Sequence, residues 1–181
     1  MAVCAVCRLR KTPMTGEERF KEPRIFDMPS YTMAVVESRL DPSTVSEDVL
    51  GALYGAVYGL KFRLRKEGGE DFNVHSLRAR WKDDERPTTV FWALPIPDGT
   101  TDLPATVPSP KVKIEVWEYG AVAQILHVGS FDEEGPTVEY LQGFIESSGF
   151  EIAGMREEEY VTRPNAPERK VYIRYQVRRR R

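Results

Sequence analysis

The sequence predicts an α+β fold built from two similar halves. Three observations carry that expectation. Short apolar–polar alternations come in runs, interrupted by two helical patterns. The order strand, helix, strand, strand occurs twice. A proline-dense stretch, residues 95–111, separates the two runs. Antiparallel strands in runs with one helix each point to α+β rather than to a parallel α/β sheet.

The elements follow in order. Residues 1–15 read as a flexible basic leader outside the folded body. Met33–Arg39 is a strand, rich in residues that suit a pleated surface. Asp41, Pro42 and Ser43 break it. Thr44 and Glu47 have capping-box spacing and predict a helix running to about Lys66. Val49, Leu53, Val57, Leu60 and Leu64 recur at helical spacing as its buried stripe, and Gly68-Gly69 ends it. Leu77, Ala79 and Trp81 alternate with Arg78, Arg80 and Lys82 in a second strand, and Thr88–Leu94 is a third. Half one thus covers about residues 20–95.

Five prolines between 95 and 111 leave no regular element there, so this is the connector. Half two, residues 112–178, begins with the alternation of Val112, Ile114 and Val116, turns at Gly120, and continues as a strand over Ala121–Val128. Pro136 suits the first position of a helix whose stripe is Val138, Leu141 and Ile145 and whose stop is Gly149. Ile152–Val161 and Lys170–Val177 are the last strands, and residues 179–181 a basic tail. The two units are too long for a solenoid period and read as a duplicated block, whose seam is a natural place for a ligand groove.

Composition excludes several classes. The 181 residues suit one domain; 41% are hydrophobic and 30% charged, as in a soluble globular chain. Lys plus Arg is 26 and Asp plus Glu is 28, a net charge of −2, which does not point to nucleic acid or an anionic membrane as partner. The longest apolar run, Val49–Leu60, is 12 residues. A membrane helix needs about 20. Two cysteines make no disulfide framework, so the expected compartment is the cytoplasm. Cys4 and Cys7 have CxxC spacing without a second pair, and the only histidines are His75 and His127, so no metal or cofactor is expected. Walker A, GxGxxG, HExxH and GxSxG motifs are absent, which leaves carboxylates and aromatics to carry any chemistry.

Gly51, Gly55 and Gly59 lie four apart on the first helix. Three helical glycines cost about 3 kcal/mol relative to alanine, so either a backbone packs closely there or a ligand lies against the strip. Tyr54 and Tyr58 flank it as core or groove wall. Trp81 and Trp92 fall on strands, and Trp117 and Tyr119 stand on the polar side of theirs, as a covered groove or as surface aromatics. Residues 156–160, REEEY, are the sharpest feature. Alternation puts Arg156, Glu158 and Tyr160 on one face and Met155, Glu157, Glu159 and Val161 on the other, and the pattern does not choose which is inward. An enclosed Glu158 beside Tyr160 would have a raised pKa or attract a cation; otherwise the stretch is a solvated acidic edge. Residues 132–159 hold nine acids against one base, a local −8 that favours cationic ligands.

Taken together, KEPRIFDMPSYTMAVVESRLDPS, ALYGAVYGLKFRLRKEG with DFNVHSLRARW and VFWALPIPDG, and VWEYGAVAQILHVGSFDEEGPTVEYLQGFIESSGFEIAG with EEYVTRP and KVYIRYQV resemble the GyrI-like, or gyrase-inhibitor-like, small-molecule-binding domains of the SOUL and multidrug-regulator group. The resemblance covers about residues 20–178, and Glu158-x-Tyr160-x-x-x-Pro164 is its most specific local pattern. It implies two strand-helix-strand-strand modules in pseudo-twofold arrangement, with a ligand groove at their junction. The glutamate of the pattern would stand at the base and aromatics would line the walls. In multidrug regulators of this group that glutamate meets lipophilic cations. Some stand-alone relatives look like hydrolases that open the strained cyclopropane of aromatic alkylators. No helix-turn-helix precedes the domain here, so a regulator role is not carried over. RARWK, residues 78–82, departs from the more apolar strand of relatives.

The expected function is therefore binding of an amphipathic, cationic or aromatic small molecule, with hydrolysis of a strained electrophile as a further possibility. Glu158 would orient a cation or activate water, and Tyr160 would orient Glu158 or donate to a developing anion. Trp81, Trp92, Tyr119, Tyr54, Tyr58 and Trp117 are the expected groove wall. The alternatives are a protein that modulates a macromolecule such as DNA gyrase, or a haem- or tetrapyrrole-binding member using His75 or His127.

Overall fold

The computed structural model describes residues 21–39, 46–69, 71–82, 88–104, 110–163 and 166–181. The elements are β1 (Arg24–Met28), β2 (Tyr31–Ser38), α1 (Glu47–Lys66), β3 (Arg78–Trp81), β4 (Val90–Pro95), β5 (Lys113–Trp117), β6 (Gly120–Val128), a 3-10 turn (Phe131–Glu133), α2 (Glu134–Ser147), β7 (Phe150–Tyr160) and β8 (Lys170–Arg179). All eight strands form one antiparallel sheet in the order β1-β6-β8-β7-β3-β4-β2-β5. This is the α+β architecture that the alternations predict.

The order reads the same from both ends once β1 is matched with β5, β2 with β6, β3 with β7 and β4 with β8. That is the arrangement two duplicated modules give when each lends its first strand to the other. β1 is the element the sequence reading lacks. RIFDM is short, and its Asp27 interrupts the apolar run, yet β1 pairs with β6 from Arg24↔Gln124 to Met28↔Gly120. Its partner in the other module, β5, pairs with β2.

Local signals fix most boundaries. Ser46, rather than Thr44, caps α1: its Oγ accepts from the Val49 amide at 3.3 Å. Thr44 lies outside the described residues, as do Cys4, Cys7 and Pro164. Val49, Leu53, Val57 and Leu60 are buried as their spacing predicts, and Gly68 takes φ +72° past the helix end. Gly59 answers the question raised by the glycine strip on its own turn: a Cβ there would stand 3.3 Å from the Pro104 ring of the connector. Nothing lies within 4 Å of a Cβ at Gly51. Helix α2 starts two residues before Pro136, and the Glu133 carboxylate accepts from the Ser130 amide at 3.1 Å in the turn that leads in. β8 runs on through Arg179, into the stretch read as a tail.

Successive side chains of a strand point to opposite faces. On one face Ala34, Val36, Ala79, Trp81, Trp92 and Leu94 pack under α1. Ala123, Ile125, Ile173 and Tyr175 continue that face under α2. On the other face Met33, Val35, Ala93, Trp117, Tyr119 and Val122 form a third cluster. Only two residues join β5 to β6, although they sit in opposite halves of the sheet. A link that short spans at most about 10 Å. The sheet therefore curls, and both its faces are covered. No helix among the described residues is long and apolar enough to cross a membrane.

Candidate functional site

The two halves meet where β3 pairs with β7: Arg78↔Glu159, Ala79↔Glu158, Arg80↔Glu157, Trp81↔Arg156. Alternation sends Glu158 to the helix-bearing face and Glu157 and Glu159 to the curled inner face. All the RARW arginines go inward with the latter pair, so they do not touch the helix-side groove. Glu158 sits between Ala79 on one side and Ile173 on the other, and is 1% exposed.

Glu158 is not alone. Arg156 Nη2 donates to its Oε1 at 2.6 Å and to Glu134 Oε2 at 2.8 Å. Arg169 Nη2 lies 3.3 Å from Glu134 Oε1 and 4.0 Å from Glu158 Oε2. Glu134 stands at the start of α2, and Arg156 also faces the Trp81 ring at 5.1 Å. Two carboxylates and two guanidiniums thus close a buried ring across α2, β7 and the β7–β8 loop. Burial, then the neighbouring Glu158, pushes the Glu134 carboxyl up to about 7, against the pull of both arginines. Glu158 Oε2 and the Tyr160 hydroxyl are buried and complete no hydrogen bond. Burial first, and the Glu158 charge second, hold the Tyr160 phenol far above its ordinary value.

Beside this ring opens a cavity of about 630 Å³. Helix α1 supplies one wall through Leu50, Tyr54 and Tyr58 at four-residue spacing. Tyr54 and Tyr58 stack with centroids 6.3 Å apart, and burial raises the Tyr54 phenol. The segment from Val74 to Leu77 supplies a second wall and includes His75. Trp92, Tyr160 and Phe131 supply the aromatic floor: Trp92 stacks on Tyr160 at 6.2 Å, and Phe131 meets Tyr160 edge-on at 6.3 Å. Trp92 Nε1 donates to Ser38 Oγ at 3.0 Å, which fixes that ring. Thr162, Arg163, Arg169 and Lys170 form the rim.

Of the expected site residues, Tyr54, Tyr58, Trp92 and Tyr160 line this cavity. Glu158 and Trp81 are on the same face of the sheet but behind the wall. Trp117 and Tyr119 are buried on the opposite face, where Tyr119 accepts from Arg78 Nη1 at 2.7 Å and Arg80 lies 3.9 Å over the Trp117 ring. Sequence reasoning passed over Glu134, Phe131 and Arg169. Glu134 reads as one more acid of a helix start, and Arg169 lies in a loop where no periodicity assigns a face. His127 is a structural residue: its ring nitrogens meet Thr137 Oγ1 at 2.9 Å and the Ser130 carbonyl at 3.0 Å. Among the described residues no three His, Cys, Asp or Glu side chains are grouped to hold a metal ion.

The family of GyrI-like small molecule binding domains matches residues 21–179. Among solved structures, an uncharacterized conserved protein from Listeria innocua is 24% identical, with a TM-score of 0.77 over 87% of this chain and 93% of that one. A hydrolase from Listeria innocua is 24% identical, with a TM-score of 0.74 over 87% and 92%. The C-terminal domain of EcmrR is 12% identical, with a TM-score of 0.59 over 88% and 98%. No curated protein sequence matches this chain.

Proposed function

The chain belongs to the family of GyrI-like small molecule binding domains, and from that premise we propose that it takes a planar aromatic small molecule into the cavity between α1 and the β7–β8 hairpin. The observation that carries this is the wall itself. Ligand pockets commonly span about 300–1,000 Å³ with a largely apolar lining and a few fixed polar groups. Here about 630 Å³ is faced by Tyr54, Tyr58, Trp92, Phe131 and Tyr160. Each well-placed ring pair contributes of order 1 kcal/mol beyond the area it buries. Titration with naphthalene carboxamide, followed by melting temperature, tests this reading: a bound ligand raises the midpoint by mass action. Tyr58→Ala, at a side chain 43% exposed, should weaken binding about fivefold with little change in stability of the free protein. No shift at any ligand concentration would overturn the reading.

A second reading, hydrolysis of a strained aromatic electrophile, is favoured by one observation. Glu158 Oε2 and the Tyr160 hydroxyl are both without hydrogen bonds, and Tyr160 is also part of the cavity wall. In that step a water oxygen bonds to the ring carbon as the strained C–C bond breaks. The electron pair moves into the conjugated carbonyl, and Glu158, behind the cavity wall, takes the water proton through the Tyr160 hydroxyl, which burial holds neutral. Two of the similar structures from Listeria innocua are called hydrolases. Glu158→Gln should abolish turnover of a cyclopropane-bearing alkylator and spare its affinity. Product limited to one equivalent in the parent protein would remove this step and leave the binding reading intact.

A further inference from the structure

The charge that the occupant carries can be read from the same cavity, and that inference rests on the binding reading above. Residues 132–159 are acidic as a stretch, yet none of those acids reaches the cavity. Its charged lining is Arg163, Arg169 and Lys170, and no Asp or Glu lines it among the described residues. The two carboxylates nearest the floor, Glu158 and Glu134, are buried outside the lining and already accept from Arg156 at 2.6 and 2.8 Å.

Arg169 stands differently from the other cations. It reaches the cavity wall with 19% of its side chain exposed, and its guanidinium lies against the rings of Phe131 and Tyr160. Nη2 leans on Glu134 at 3.3 Å, while Nη1 is buried and makes no hydrogen bond. A guanidinium at the wall of a cavity whose other charged lining is also cationic suits a carboxylate or another flat oxyanion. A lipophilic cation would instead meet a like charge there, with Glu158 shielded behind it.

We propose that the cavity selects planar aromatic ligands bearing a carboxylate or comparable oxyanion, with Arg169 as the anchoring residue. The ring system lies along Tyr54, Tyr58 and the Trp92–Tyr160 stack, and the anion points toward the β7–β8 loop.

Three probes of one shape test this: naphthoate, naphthalene carboxamide and naphthyl trimethylammonium, titrated calorimetrically into the intact chain. The expected order is carboxylate, amide, ammonium, with naphthoate bound about tenfold more tightly than the amide, and that margin shrinking as salt is raised. Arg169→Gln should remove the margin between naphthoate and the amide. Because that change strands two carboxylates, Arg169→Gln combined with Glu134→Gln is the companion variant, and it should give the same loss. Equal affinity for all three probes, or tighter binding of the ammonium, overturns the charge preference while the aromatic cavity stands. Binding of none of them overturns both.

Discussion

Glu157 and Glu158 are neighbours in one strand, and both are almost fully buried, yet their surroundings differ in kind. On the inner face Glu157 is saturated: Arg80 Nε holds one oxygen at 2.6 Å and Arg174 Nη1 the other at 3.0 Å. Arg174 also reaches Glu159 at 2.6 Å, and the rings of Trp117 and Tyr119 cover Arg80. The hollow beside this cluster is only about 20 Å³, room for one water at most. On the helix-bearing face the ring of Glu158, Arg156, Glu134 and Arg169 leaves Glu158 Oε2 and Arg169 Nη1 without a hydrogen bond, and a large cavity adjoins it. Buried charge alone does not mark a site. The inner face has an unfilled donor of its own, Arg78 Nε; what sets the Glu158 side apart is the aromatic-walled cavity of about 630 Å³.

The largest break in this comparison should come from Glu157→Ala. It leaves Arg80 and Arg174 buried without their shared partner, and should cost about 3–5 kcal/mol in denaturant unfolding. In protein that stays folded, affinity for naphthalene carboxamide should not change, since Glu157 faces away from the cavity. A loss of affinity without a loss of stability would erase the distinction between the two faces.

A medium effect is expected from pH. Glu134 is pushed up to about 7 in the folded protein, above its ordinary value of 4.5, so the native state binds more protons across that window. Its contribution to stability is therefore fully present below about 4.5 and is lost as pH rises to about 7. Glu134→Gln should remove a slope worth of order 1–3 kcal/mol from the difference between the two proteins. Unfolding curves collected at intervals through this range check it, and parallel pH profiles for parent and variant would contradict it. The smallest effect belongs to the Arg178–Glu151 pair, which has the short separation of 2.5 Å but side chains 70% and 41% exposed. Arg178→Ala should change stability by less than about 1 kcal/mol, which would separate proximity from burial as the source of energy.

Much of the architecture was legible because its signals are local. Helix α1 declares itself through Val49, Leu53, Val57 and Leu60, and the second half through the stripe of Leu141 and Ile145. β1 was missed because its five residues gain their place only from distant β6. The REEEY stretch shows the limit more sharply. Alternation correctly splits Glu158 from Glu157 and Glu159, but asking which set is inward presumes a sheet with one wet face. The curl covers both faces, so both sets are inward. For the same reason Trp117 and Tyr119 looked like groove aromatics: each faces a buried surface, but the other one. Arg169 could not be foreseen, because its position depends on how a proline-containing loop returns to the sheet.

The most direct measurement is a crystal structure of the protein grown with naphthalene carboxamide. The account predicts density for the ring system between Tyr58 and the Trp92–Tyr160 stack, with Glu158 still paired to Arg156 behind it. An empty cavity there, with the ligand seated instead in the hollow of about 510 Å³ beside Tyr31, Phe72 and Asp98, would contradict it.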